Sequence, residues 1–363
     1  MPDLVRVFDG HNDTLLKLEL DARQGKGRDF AAENQGLDID LPRARRGGFA
    51  GGLFAMFTPA RSMRGTDFDA RDPANFAAVP QEHALGFTLA MFARMRRLAR
   101  DLPEEVALCA DAPAIQAAID AGRVAVVPHI EGAECIDAEL NALEVLHAAG
   151  LRSLGLVWSR PNGFGHGAPM AAQPDLDPGE GLTDAGRALV AECERLGVMV
   201  DLSHLTEAGF WDVARIATRP LIATHSNAHA ISPSARNLTD KQLAAIAESG
   251  GVVGLNFHVG FLREDCRDDT DTPMTLLIRH LDHLLGILGE RGVALGSDFD
   301  GCKLPAEIGD VAGLPRLVAA MQQAGYGDAL IARICRSNWL DALDRAGIGG
   351  RSAAEACPSP PTT

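Results

Sequence analysis

Short apolar runs alternate with amphipathic stretches along nearly the whole chain. Eight runs read as buried strands: Leu4 to Phe8, Gly51 to Phe57, Val124 to Pro128, Leu151 to Trp158, Val198 to Leu202, Leu221 to Thr224, Val252 to Phe257 and Val293 to Ser297. Between them apolar residues return at helical spacing. Over His83 to Arg100 these are Leu85, Leu89, Phe92, Met95 and Leu98, with a basic opposite face. Shorter helices are predicted over 114–121 and 139–149, stopped by Gly122 and Gly150. Thr183 can cap a helix reaching Leu196, and Thr239 with Gln242 forms a capping-box pattern for one reaching Ser249. Further helices are predicted over 206–217, 274–289, 312–324 and 328–346.

Apolar strands separated by helices imply a parallel sheet with helices outside it. Eight such strands favour an α/β fold closed into a (β/α)8 TIM-type barrel, for which about 250 residues plus insertions is typical. The alternative is an open doubly wound sheet, but no G-x-G-x-x-G follows the first strand. Residues 17–47 are polar and basic-rich, whereas 58–82 and 159–181 are long proline- or glycine-bearing loops. Loops of that length often cover a site, here at the C-terminal face of the strands. With no internal repeat or linker, residues 1–363 are expected to form one domain, and 353–363 a disordered tail.

Composition narrows the partners more than the chemistry. A net charge of −15 argues against nucleic acid and anionic membranes. The seven cysteines show no C-x-x-C spacing, as expected of reduced thiols in a cytoplasmic protein. The chain opens directly on strand and site residues, leaving no room for a signal peptide, and no apolar run approaches a membrane span.

In a barrel the C-terminal strand ends converge on one face, where the chemistry sits. The polar side chains there are His11, Asp13, Glu131, His204, His225 and Asp298. His11 and Asp13, two apart on extended backbone, project to one side. Any one of the six reads more readily as a hydrogen-bonded turn residue than as a ligand; the set at the ends of several strands does not. Three histidines and two carboxylates exceed one tetrahedral zinc with an open position. They suit two metals sharing a bridging carboxylate.

The ordered stretches Asp9-Gly-His-Asn-Asp13, Glu131-Gly132, Asp201-Leu-Ser-His204, Thr224-His225-Ser226, Arg236-Asn237 and Gly296-Ser-Asp-Phe-Asp-Gly301 resemble the membrane (renal-type) dipeptidases, zinc metallopeptidases of the amidohydrolase superfamily. The resemblance implies two zinc ions per chain, His11 and Asp13 holding one, His204 and His225 the other, with Glu131 bridging. It implies Asp298 as proton carrier and Arg236 as the binder of the substrate's free carboxylate. Asp300 reads as structural or as a support to the site. The implied activity is hydrolysis of dipeptides, including ones with a C-terminal D-residue, by a homodimer. Where renal-type enzymes carry a histidine after the fourth strand, this chain has Trp158; Asn162 or His166 could take over its contact with substrate, or serve only as loop polars. His129 shares a face with Glu131 and could compete as a ligand, but it reads rather as a core histidine or a support to the ligands. Deamination or lactone hydrolysis on the same fold is the rival activity. A non-catalytic metal-binding barrel is the rival class, though none of the five ligands is missing.

Overall fold

The computed structural model describes residues 4–60, 72–175 and 177–348. The expected tail at 353–363 and residues 61–71 of the first long loop lie outside the described residues. Among the described residues nine strands form one parallel sheet: β1 Val7–Asn12, β2 Phe49–Phe57, β3 Val106–Leu108, β4 Val124–Glu131, β5 Ser153–Gly155, β6 Met199–Asp201, β7 Ile222–Ala223, β8 Val252–Leu255 and β9 Val293–Leu295. The order β1-β2-β4-β5-β6-β7-β8-β9 gives the eight strands of the barrel, and β3 pairs only with β4, off that ring. The seam between the first and last strands is held just beyond β9. There Asp298 N donates to His11 O at 2.9 Å, Asp13 N to Phe299 O at 2.8 Å, and Ser297 N to Asp9 Oδ1 at 2.7 Å.

The first strand differs from its prediction in an informative way. The apolar run ends at Phe8 and Gly10 beyond it reads as a turn, yet the strand runs through Gly10 and His11 to Asn12. Gly10 is no turn residue: a Cβ there would overlap the Trp339 ring and the Thr224 carbonyl. In the same way β4 continues past Pro128 to Glu131, so both metal-capable positions sit on rigid strands. Two helices in the polar stretch, Thr14–Arg23 and Leu41–Gly47, were not predicted. The first buries Leu15, Leu16 and Leu18, but also Glu19 and Asp21, whose charges are met by Arg23, Arg94 and Arg28. Ion pairs of that kind hide a buried face from any hydropathy pattern. The predicted helix over 328–346 contains a π turn, Arg333–Ser337, in its middle.

Alternation along each strand divides the apolar residues into two layers. Val126 and Ile130 of β4 pack outward beneath the helices. Ala125 and Val127 join Phe8, Leu53, Met199, Ile222, Val252 and Ala294 in a separate cluster inside the ring. Trp339, fully buried, closes that end of the barrel and donates from Nε1 to Leu295 O at 2.8 Å.

Candidate metal centre and active site

Above this plug the inward positions turn ionisable. On β4 they continue as His129 and Glu131. His11 is carried by β1, and Asp13 follows it. His204, His225 and Asp298 lie just past β6, β7 and β9. His204 and Asp298 adopt left-handed backbone, with φ of 70° and 63°. Such conformations cost non-glycine residues about 1–3 kcal/mol and tend to persist where surroundings hold a side chain in place for function.

The five ligand candidates meet around Glu131. Its Oε2 stands 3.7 Å from His11 Nε2, which is 3.5 Å from Asp13 Oδ2. Its Oε1 stands 2.8 Å from His204 Nε2 and 3.5 Å from His225 Nε2, and those two nitrogens are 3.0 Å apart. One carboxylate therefore faces one ligand pair with each oxygen. Both ring nitrogens of His11 and Oδ1 of Asp13 are buried without a hydrogen-bond partner. Unpartnered nitrogen and oxygen atoms converging on a buried point are what a divalent cation satisfies.

Hydrogen bonds behind the candidate ligands fix which nitrogen faces the site. Thr224 Oγ1 gives its proton to Asp201 Oδ2 at 2.5 Å, so it can only accept from His225 Nδ1 at 2.8 Å. His225 thus holds its proton on Nδ1 and presents a lone pair on Nε2. Ser159 Oγ meets His204 Nδ1 at 2.9 Å. Asp201 is itself pinned through Oδ1, which accepts from Ser203 N and Thr224 N. His129 lies a layer below the ligands, its Nδ1 on Ser153 Oγ at 2.8 Å and its Nε2 3.7 Å from Asp201 Oδ2.

The electrostatics point the same way. Burial alone would depress His11, but the carboxylates of Glu131, Asp13 and Asp298 outweigh it and raise its pKa to about 10. Burial pushes Glu131 well above the carboxylate range, and the neighbouring Asp13 and Asp298 add to the shift. Asp298 is raised by burial, with Asp13 adding to it. His204 and His225 are held neutral by burial and by the cationic groups around them. The cluster has more negative charge than its surroundings stabilise, and neutral imidazoles available to share a cation.

Over the cluster opens a pocket of about 690 Å³, its mouth included. Asp13, Glu131, His204 and Asp298 line its floor, and Leu16, Phe57, Pro59, Trp158, Met170 and Phe261 much of its wall. Trp158 stacks on Phe76 and sits 6.0 Å from the His204 ring, centre to centre. Arg236 is buried beside the cluster, donating from Nη2 to His225 O at 3.2 Å while Nε lacks a partner. Burial lowers its pKa to about 10, against the pull of Asp298 and Glu131.

The structure does not bring Asn162 into this pocket. Its amide donates to Leu156 O and accepts from Phe164 N and Gly165 N, which makes it a brace of its own loop. His166 is turned to Gly181 O and Glu180. Asp300 does reach the pocket edge, where its carboxylate accepts from Asp38 N and its own N–H donates to the Asp38 carboxylate. Sequence reasoning missed Asn256, His258 and Phe261. The rule that gave the ligand candidates, a polar residue ending an apolar run, applies to Asn256, but the run was read through to Phe257.

A parallel barrel with a buried His, Asp and Glu cluster at its C-terminal face defines a metal-dependent hydrolase. The sequence model of the membrane dipeptidases, peptidase family M19, matches residues 3–351. The chain belongs to that family. A metallo peptidase from Rhodobacter sphaeroides, solved with a phosphinate mimic of the dipeptide L-Ala-D-Ala, is 46% identical; the match covers 95% of this chain and 100% of that one, with a TM-score of 0.87. The dipeptidase AC, an M19 metallo peptidase, is 47% identical over 95% of this chain and 99% of its own, with a TM-score of 0.86. An uncharacterized Klebsiella pneumoniae protein encoded 5′ of pqqA is 49% identical over 236 residues, 65% of this chain and 87% of its own. No helix among the described residues is long and apolar enough to cross a membrane.

Proposed function

We propose that this chain is a zinc dipeptidase that hydrolyses dipeptides with a free C-terminal carboxylate, including those with a C-terminal D-residue. The observation that carries the proposal is the position of Glu131, with one carboxylate oxygen toward His11 and the other toward His204 and His225. His11 and Asp13 would hold one ion and His204 and His225 the other, with Glu131 shared. When bound, the ions supply Lewis-acid polarisation of the scissile carbonyl and lower the pKa of water toward 7. The 46% identical Rhodobacter enzyme, crystallised with an L-Ala-D-Ala mimic, supports the stereochemical reach. The six described cysteines are free thiols, which supports a reducing, cytoplasmic setting.

The chain's own residues do the rest. Asp298 accepts a proton as water adds to the peptide carbon and passes it to the departing amine, since an amide nitrogen leaves only when protonated. Arg236 pairs with the substrate carboxylate through a planar fork of donors. Its unpartnered Nε is a donor in reserve. Trp158, Phe57 and the other apolar wall residues exclude water and receive side chains.

The proposal is tested by comparing L-Ala-D-Ala with its C-terminal amide on zinc-replete protein. The acid is expected to be the better substrate by one to two decades in kcat/KM, the value of about 1.5–3 kcal/mol for a charge-assisted bond in a desolvated pocket. Arg236→Met should bring the acid down to the amide. Equal turnover of acid and amide by the wild type would remove the reason for preferring dipeptides to other amides.

A further inference from the structure

The residue that directly follows β8, Asn256, has a fully buried side chain that the ligand set does not use and that touches the proposed proton carrier. Asn256 Nδ2 donates to Asp298 Oδ2 at 3.0 Å. The amide cannot be turned over, because its Oδ1 accepts from the His258 backbone N–H at 2.6 Å. Only the opposite edge, which carries two N–H bonds and no lone pair, can face Asp298.

Asn256 is in turn clamped by a second buried amide. Asn227 accepts from Asn256 N at 2.9 Å and donates to Asn256 O at 2.9 Å. Asn227 and Asn256 are both 0% exposed. A network so closed holds its members in one arrangement, because every alternative leaves a buried polar group unmet.

We infer that Asn256 is a positioning residue for Asp298: it holds Oδ2 as an acceptor and leaves Oδ1 as the oxygen that carries the proton. The amide N–H draws on the lone pairs of Oδ2 and makes it the less basic of the two oxygens, so the group it positions loads from its other side. That side is kept open by Gly301, where a Cβ would overlap Asp13 Oδ2 and crowd Asp298 Oδ1. The left-handed backbone of Asp298, with its N–H bound to His11 O, fixes the other end of the side chain. Asp298 is thus aimed from three directions, and Asn256 is the one that distinguishes its two oxygens.

This inference rests on Asp298 being the proton carrier, and a double-mutant cycle separates the two claims. The variant is Asn256→Asp, which keeps an acceptor for His258 N while removing the donor to Asp298. On zinc-replete protein with L-Ala-D-Ala it should lower kcat about 10–100-fold, with KM and zinc content near wild type. Asp298→Asn should lower kcat about 10²–10⁴-fold. Adding Asn256→Asp to Asp298→Asn should then cost nothing more, because the amide acts only through that carboxylate. Asn256→Ser, taken through the same cycle, carries the test should the aspartate variant not fold. Near wild-type kcat in Asn256→Asp, beside a crippled Asp298→Asn, would overturn the positioning role alone. Additive losses in the double variant would do so too, showing that Asn256 serves structure in general. If Asp298→Asn itself turned over normally, the proton-carrier role would fall first and the inference with it.

Discussion

The two halves of the barrel interior are built from the same strands and obey opposite rules. On β4 the inward positions run Ala125, Val127, His129, Glu131, from apolar to ionisable within a single strand. The closed half, with Phe8, Leu53, Ile222, Val252 and the Trp339 plug, is stabilised by burying apolar surface. The open half buries His11, Glu131 and Asp298 against desolvation, leaving nitrogen and oxygen atoms unmet. One half holds the ring together so that the other can keep an arrangement that would not hold itself.

Removing Glu131 should break this contrast most strongly. Glu131→Ala is expected to drop zinc from two ions per chain to one or none and to reduce turnover to background. The chelated variant should be no less stable than chelated wild type, because a buried, mutually repelling carboxylate has gone. Metal analysis with thermal melts of chelated protein checks both. A wild type that never exceeds one zinc, or a chelated variant that melts much lower, would contradict the division of labour.

The mirror experiment is Trp339→Ala. Emptying the plug should cost about 3–5 kcal/mol and lower Tm by roughly 4–7 °C. Turnover per zinc-loaded molecule at 25 °C should stay near wild type, since Trp339 touches the plug and Gly10 rather than the pocket. Lost kcat at unchanged Tm would show that the halves are not separable.

The smallest effect belongs to the seam. Asp9 accepts from Ser297 N and Oγ where β1 meets the segment after β9, and burial raises its pKa from 3.8 to about 7. Between those values the folded state binds the extra proton, so the stability Asp9 contributes is complete below pH 3.8 and is lost as pH rises through 7. The slope is bounded by about 1.4 kcal/mol per pH unit. Asp9→Asn should therefore gain on wild type in urea melts of chelated protein as pH goes from 5 to 8. A constant difference would mean that Asp9 does not titrate across that window.

Local regularities made much of this molecule legible before its structure. Alternating apolar runs and helical periods imply the parallel ring, because each reflects a side chain's own preference for a face. Candidate ligands could be picked out as polar residues ending those runs. Other features depended on partners far along the chain. Gly10 reads as a turn until Trp339 and Thr224 come against it. Asn162 and His166 read as loop polars or as site polars until the hydrogen bonds of their own loop decide between the two.

The tautomer of His225 is set by Asp201 through Thr224, and the aim of Asp298 by Asn256, 42 residues away. A sequence specifies the donors and acceptors each residue brings, whereas burial decides which of them must find each other. Which pairs meet depends on the order of strands around the ring, and no pattern within one strand contains that order.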